Sequence, residues 1–286
     1  MLFRLGGVEF GSNSGPLIVT KFGPGAAEVR SSDSPRTFRN GSRTGRDRRG
    51  SRTWAFDIST NCDDVASALD AEARLSGEWE NPAYQLPGAT VPLSYYIEGS
   101  NRWRRVYGRP DSYAGFDGGI AAMQGAASIT CNFRVTEPGH YDELEQSVPL
   151  SIVPATTGGF MAPIVAPIST LTSGTPRSGL LRNAGNAETP VTIRFVGPIG
   201  WPLIKSSTGW EIGLSTVLAY DDVVVVDPIT QTVMKNGVPA PGLLSQRSRI
   251  TQAFLQPGTT EVTFTGTDPT GTAVAVISWR NAYTSI

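Results

Sequence analysis

Alternation of apolar and polar residues recurs along the first half of this chain and constrains its fold more than any other feature. Successive side chains of a β-strand point to opposite faces, so period two is what a sheet with one buried face requires. Trp54, Phe56 and Ile58 fall on one face of such a strand. Val91, Leu93, Tyr95 and Ile97 share another, against Pro92, Ser94, Tyr96 and Glu98. Ala127, Ile129, Cys131, Phe133 and Val135 repeat the pattern against Ser128, Thr130, Asn132 and Arg134. Parity therefore makes Cys131 a core residue rather than a reactive thiol. The 32 glycines and 21 prolines spread over 286 residues favour short strands and tight turns over long helices. The expected fold class is mainly β.

One helix is predicted among these N-terminal strands, from Cys62 to Ser76. Asn61 is its expected N-cap, Asp63 and Asp64 sit in the first turn where the dipole favours negative charge, and Val65, Leu69 and Ala73 form the inner stripe. Cys62 lies near that stripe, in a packing role. From Thr136 to Ser147 the alternation gives way to a polar, turn-rich stretch in which His140, the sole histidine, reads as a surface residue. Charge density falls across it: residues 1–150 carry 16 basic and 18 acidic side chains, residues 151–286 only eight and seven. The predicted domains are accordingly 1–150, β with one helix, and 151–286, a compact β-sandwich. In the second, Val191, Ile193 and Phe195 alternate, as do Trp210, Ile212 and Leu214, and Val262 with Phe264. Val223 to Val226 reads as a strand buried on both faces. Asp227-Pro228-Ile229-Thr230, Asn236-Gly237, Pro257-Gly258 and Asp268-Pro269-Thr270-Gly271 read as turns. The chain has no repeat at a fixed period, which argues against a propeller or solenoid.

A formal net charge of −1 gives no whole-protein attraction to nucleic acid or to an anionic membrane. The start, Met1 to Gly7, lacks the apolar core of a signal peptide, and no apolar run approaches a membrane span. Folding in the cytoplasm without membrane insertion is expected. Cys62, Cys131 and His140 have neither the spacing of a zinc site nor that of a Cys-His nucleophile pair. Glu78 and Glu80, Glu143 and Glu145, and Asp221 and Asp222 are close carboxylate pairs such as a glycosidase needs, but none stands in a recognisable motif. Glycine-rich phosphate loops are absent as well. No catalytic residue, cofactor or metal is predicted.

From Leu218 onward the chain reads Leu-Ala-Tyr-Asp-Asp-Val-Val-Val-Val-Asp (218–227), Thr-Val-Met-Lys-Asn-Gly (232–237) and Phe-Leu-Gln-Pro-Gly-Thr-Thr-Glu-Val-Thr-Phe (254–264), and closes with Ile-Ser-Trp-Arg-Asn-Ala-Tyr-Thr-Ser (277–285). In order and spacing these strings resemble the C-terminal domain of siphophage distal tail proteins, and the ending is similar to that of minor tail proteins of actinobacterial phages. The resemblance covers about the last third; in the first half it extends only to strands arranged around one helix. It implies an N-terminal belt domain that closes a six-fold ring and a galectin-like β-sandwich outside it. Such a ring joins the tail tube to the tail-tip hub, so the tail tube protein, the tape measure protein and the hub protein are the expected partners. The genome passes the lumen without specific binding, and the protein, assembled in the host cytoplasm, ends in the virion at the tail tip. A heterologous head-to-tail contact generates a ring when its rotation closes.

Two stretches are candidate contact surfaces. Arg36, Arg39, Arg43, Arg46, Arg48, Arg49 and Arg52 stand against the single acid Asp47 and are separated by Gly, Ser and Asn, as in a flexible loop. A solvated loop, a contact with an acidic neighbouring subunit and a contact with passing DNA are the three readings of that loop; tight phosphate binding would slow a sliding genome. Trp103, Arg105 and Tyr107 share one strand face, as on an edge or interface strand, although arginines among aromatics also occur in single-strand nucleic-acid binders. Arg43, Arg46, Arg48, Arg49, Tyr96, Trp103 and Tyr107 are the candidate subunit-interface residues. The rival reading is a carbohydrate- or receptor-binding module whose exposed aromatics stack on sugar rings.

Overall fold

The structure, a computed structural model, describes residues 1–12, 15–117, 119–152, 178–268 and 270–286. Residues 153–177, at the head of the expected second domain, and Pro269 of the Asp268-Pro269-Thr270-Gly271 turn lie outside the described residues. The chain is mostly β, with one α-helix among the described residues, and forms two compact units: Met1–Glu143 with Thr284–Ile286, and Leu144–Tyr283.

The first unit contains β1 (Leu2–Leu5), β2 (Val8–Phe10), β3 (Leu17–Gly23), four two-residue strands β4 (Val29–Arg30), β5 (Ser34–Pro35), β6 (Ser42–Arg43) and β7 (Arg48–Arg49), then β8 (Arg52–Thr60), β9 (Val91–Tyr96), β10 (Trp103–Ala114), β11 (Ser128–Val135) and β12 (His140–Asp142). Antiparallel ladders order the main sheet β2-β1-β9-β10-β11-β8-β3, with β12 also on β10. The register sets Trp54 opposite Phe133, Phe56 opposite Cys131 and Ile58 opposite Ile129. All six are buried, as their parity requires. Burial also pushes the Cys131 thiol up to about 12.

Helix α1 (Val65–Trp79) lies against this buried face, but its phase differs from the sequence expectation. Ala68, Ala71, Leu75 and Trp79 point inward, while Leu69 is 45% exposed. The physical reason is Trp79, beyond the expected end: a face carrying Leu75 and Trp79 buries more apolar surface than one carrying Val65, Leu69 and Ala73. Trp79 meets Phe10, Phe56 and Phe133 edge-on at 6.1–6.2 Å and donates from Nε1 to the Asn132 carbonyl at 3.3 Å. The N-cap is Asp64 rather than Asn61, since its Oδ1 accepts the Ser67 N–H at 2.7 Å.

In the second unit one sheet runs in the order Gln146–Ser151, Val274–Trp279, Thr192–Val196, Val223–Asp227, Thr232–Lys235, Val238–Pro239. The other runs Ser178–Asn183, Gly258–Thr267, Ile199–Ser206, Glu211–Gly213, with Val217–Leu218 also on Ile199–Ser206. Both contribute to one core, with Phe195 and Phe264 rings 6.1 Å apart, so the unit is a two-layer sandwich. Val191, Ile193, Trp210, Ile212, Leu214 and Val262 are all buried there. Gln146–Ser151, counted with the first half in the sequence, is a strand of this sandwich and sends Leu150 into its core. Val223–Asp227 corrects a second expectation: Val224 and Val226 are buried but Val223 and Val225 only half-buried, because the strand belongs to one layer of a sandwich and turns one face outward. Asn236 and Gly237 take φ of 50° and 81°, the mirror-image turn that right-twisted strands need.

Candidate functional site

Between β3 and β8 the chain leaves the sheet as a hairpin arm. The expected flexible loop is instead two short ladders, Val29 and Arg30 opposite Arg49 and Arg48, then Ser34 and Pro35 opposite Arg43 and Ser42. Gly41, with φ 103°, closes the loop from Arg36 to Gly41, and its carbonyl accepts the Arg36 N–H at 3.1 Å. Asp33 Oδ1 accepts the Gly45 N–H at 2.8 Å, and a Cβ at Gly45 would lie 2.2 Å from the Ser32 carbonyl oxygen, so the arm's two sides close only over glycine. Every residue from 28 to 49 is exposed, Arg43, Arg46, Arg48 and Arg49 included. At the tip Phe38 is 99% exposed with φ 66°. Arg52, grouped with the loop in the sequence, begins β8 and is half-buried.

The other three interface candidates lie on the sheet face opposite the core. Tyr96 and Trp103 are register partners, with rings 5.6 Å apart, and the Arg4 guanidinium sits 4.9 Å above the Trp103 ring. Tyr107 packs on Tyr141 at 5.3 Å. Between them Glu143 accepts from Arg105 through both oxygens, from Ser94 Oγ at 2.9 Å and from Arg4 at 3.1 Å. Burial opposes its charge, but these donors outweigh burial and hold its carboxyl below the usual carboxylate range. Tyr96, Trp103, Arg105 and Tyr107 form one half-buried layer, as their parity predicts. Among the described residues no strand ladder joins the arm to the sheet that carries this layer.

His140 corrects the sequence reading, which put it on the surface. It is fully buried, stacked at 5.9 Å on Trp54, with Nδ1 2.7 Å from Tyr95 Oη and Nε2 2.6 Å from an Arg52 nitrogen. Arginine only donates, so Nε2 accepts and Nδ1 carries the proton. Burial, reinforced by Arg52 and Arg104, lowers its pKa to about 3, so the ring is neutral near pH 7.

At least one member of each close carboxylate pair makes a structural contact. Glu78 accepts from Tyr84 at 2.9 Å and from the Gly7 N–H at 3.3 Å, and Glu145 pairs with Arg280 at 2.8 Å. Asp222 pairs with Lys235 at 2.8 Å and accepts from Asn236 and the Ala219 N–H, which fixes the turn before Val223–Asp227. Among the described residues no cluster of His, Cys, Asp and Glu is placed to hold a metal ion. A cleft of about 330 Å³ beside α1, lined by Val8, Glu9, Leu17, Cys62, Asp70 and Arg74 among others, is not legible in the sequence because its walls come from three separate segments.

Residues 184–283 match the family model described as siphovirus-type tail component, C-terminal domain. The resemblance to siphophage distal tail proteins is borne out. The whole chain also has a known fold. The crystal structure of the SPP1 Dit protein, described as a paradigm of the hub adsorption apparatus of phages infecting Gram-positive hosts, is similar at TM-score 0.56 and 17% identity over 93% of each chain. A chain of the phage P2 baseplate in its activated conformation with Ca is similar at 0.53 and 11% identity over 97% of each. The same baseplate with Sr gives 0.52 and 10% over 97% of this chain and 96% of that one. No curated protein sequence matches. No helix among the described residues is long and apolar enough to cross a membrane.

Proposed function

We propose that this chain is a structural protein of the tip of a long non-contractile phage tail, in which six copies close a ring through the first unit. The ring joins tail tube to tip hub, contacts the tape measure protein, and leaves a lumen for the genome; it performs no chemistry. The observation that carries the reading is the fold likeness to tail hub and baseplate chains over 93% or more of the sequence, joined to the tail-component match in the second unit. The arm's arginines and the Tyr96, Trp103 and Tyr107 layer are the contact surfaces: arginine keeps less water than lysine and forms bidentate pairs, and aromatics anchor interfaces. The sandwich of residues 144–283 is the galectin-like domain. Gold labelling of the chain in intact virions tests the location. Label at the distal end of the tail supports the reading, and label along the tube or on the head overturns it.

A glycan-binding role for the sandwich is the second reading, favoured by Trp201, 61% exposed and held at φ 48° in an irregular stretch of strand, and by Tyr220, 70% exposed. A glycan array probed with residues 144–283 decides it. Binding that Trp201→Ala abolishes supports the second reading, and no binding removes it.

A further inference from the structure

The chain contains two Asn-Gly sequences, Asn40-Gly41 in the arm and Asn236-Gly237 in the sandwich. Asparagine before glycine is the pair best able to cyclise, because glycine has no side chain to shield its backbone nitrogen and its φ is free. What holds the asparagine differs between the two sites.

Asn236 is pinned. It stands in a two-residue turn between the register partners Lys235 and Val238, and its own N–H donates to the Val223 carbonyl at 2.9 Å. Its Oδ1 accepts the Val223 N–H at 2.8 Å and its Nδ2 donates to Asp222 at 3.1 Å. Swinging its amide carbon onto the Gly237 nitrogen breaks both side-chain bonds. Asn40, in contrast, is exposed in the wider loop from Arg36 to Gly41, between the register partners Pro35 and Ser42. Among the described residues no hydrogen bond holds its side chain or the Gly41 N–H. A Cβ at Gly41 would meet nothing within 4 Å, so the approach to its nitrogen is open. Charge favours reaction there as well. Residues 30–49 hold seven arginines against Asp33 and Asp47, a net of +5, and among the described residues none of these arginines forms an ion pair. A field of cations stabilises both the amide anion that attacks and the carboxylate that results.

We propose that Asn40 is a site of spontaneous modification, at which the Gly41 nitrogen attacks the Asn40 side-chain carbonyl carbon and the arm gains a carboxylate, while Asn236 stays an amide. The Gly41 N–H gives its proton to solvent as the new C–N bond forms. The side-chain nitrogen takes a proton from water and leaves as ammonia. Water then opens the cyclic imide at one of its two carbonyls: the former side-chain carbonyl gives aspartate, the main-chain carbonyl gives isoaspartate. No electrons are exchanged, and water is the one co-reactant. Either product lowers the net charge of residues 30–49 from +5 to +4. Isoaspartate also adds a methylene to the main chain of the loop that the Gly41 carbonyl and the Arg36 N–H close. The older the protein, the less basic its arm. This chemistry belongs to the single chain and is independent of the ring reading.

The test follows the full folded chain through incubation at mildly alkaline pH. Samples are resolved whole by ion exchange, then digested at acidic pH, where cyclisation is slow, for peptide mass mapping. The peptide holding Asn40 should turn from amide to acid as an aspartate and isoaspartate doublet, the second of which accepts a methyl group from protein isoaspartyl methyltransferase. Asn236 should react at least ~10-fold more slowly, because its two side-chain hydrogen bonds must open first. In denaturant the two rates should converge, since both sequences are Asn-Gly. Asn40→Gln, which could cyclise only through a larger ring, should remove the charge shift of the whole chain. A folded chain in which Asn40 reacts no faster than Asn236, rates that stay as far apart in denaturant, or a shift undiminished in Asn40→Gln would each overturn the proposal.

Discussion

Burial of His140 against Trp54 couples the stability of the first unit to pH. Its folded pKa is lowered to about 3 from 6.5, chiefly by desolvation, so between those values the unfolded chain binds a proton that the folded chain does not. Stability is therefore full above about pH 6.5 and is lost as pH falls toward 3. From pH 6.5 to 5 the expected loss is up to about 2 kcal/mol, one pKa unit being 1.36 kcal/mol, and His140→Gln, neutral throughout, should flatten the slope in denaturant unfolding. A wild-type midpoint that does not move over this interval would contradict the assignment. The sequence hid this residue because its partners Arg52 and Tyr95 come from strands 88 and 45 residues away. Cys131 was legible because its own strand alternates strictly over Ser128–Val135, and parity is a local property.

At the scale of the element, period two located the sheet strands well because burial of one face imposes it. The phase of α1 was less legible: Val65, Leu69 and Ala73 form a plausible stripe until Trp79 is included, and the sheet decides which stripe it accepts. Leu75→Ala should cost about 2–5 kcal/mol and Leu69→Ala no more than about 0.5 kcal/mol in chemical unfolding of the full chain. Equal costs would mean that the helix sits in the other phase. The arm's hairpin is poorly legible because its ladders are only two residues long, too short to show alternation, and its loop from Arg36 to Gly41 is longer than the two-residue turn that Asn-Gly signals. Replacing Arg46, Arg48 and Arg49 by Glu should leave the circular dichroism spectrum and unfolding midpoint nearly unchanged, since all three are exposed, while weakening assembly into tails at least tenfold. Normal assembly by this triple variant would remove the arm from the interface.

For the whole molecule, composition and charge density signalled two parts, but where one ends depends on strand pairing that no local signal reports. Gln146–Ser151 pairs along its full length with Val274–Trp279, so the sandwich needs it. A fragment of residues 144–283 should melt cooperatively with a β-type spectrum, whereas residues 152–283, with the Val274–Trp279 edge unpaired, should be less stable and aggregate. Equal stability of the two fragments would show that this strand is dispensable. The candidate site was only partly legible, because the aromatic layer follows strand parity while the cleft beside α1 is assembled from distant segments. How copies of the chain meet is read out by electron cryomicroscopy of assembled tails at a resolution that traces the backbone. Six copies are expected at the tail tip, closed through residues 1–143. Another symmetry, or a ring held only by the sandwich of residues 144–283, would contradict this arrangement.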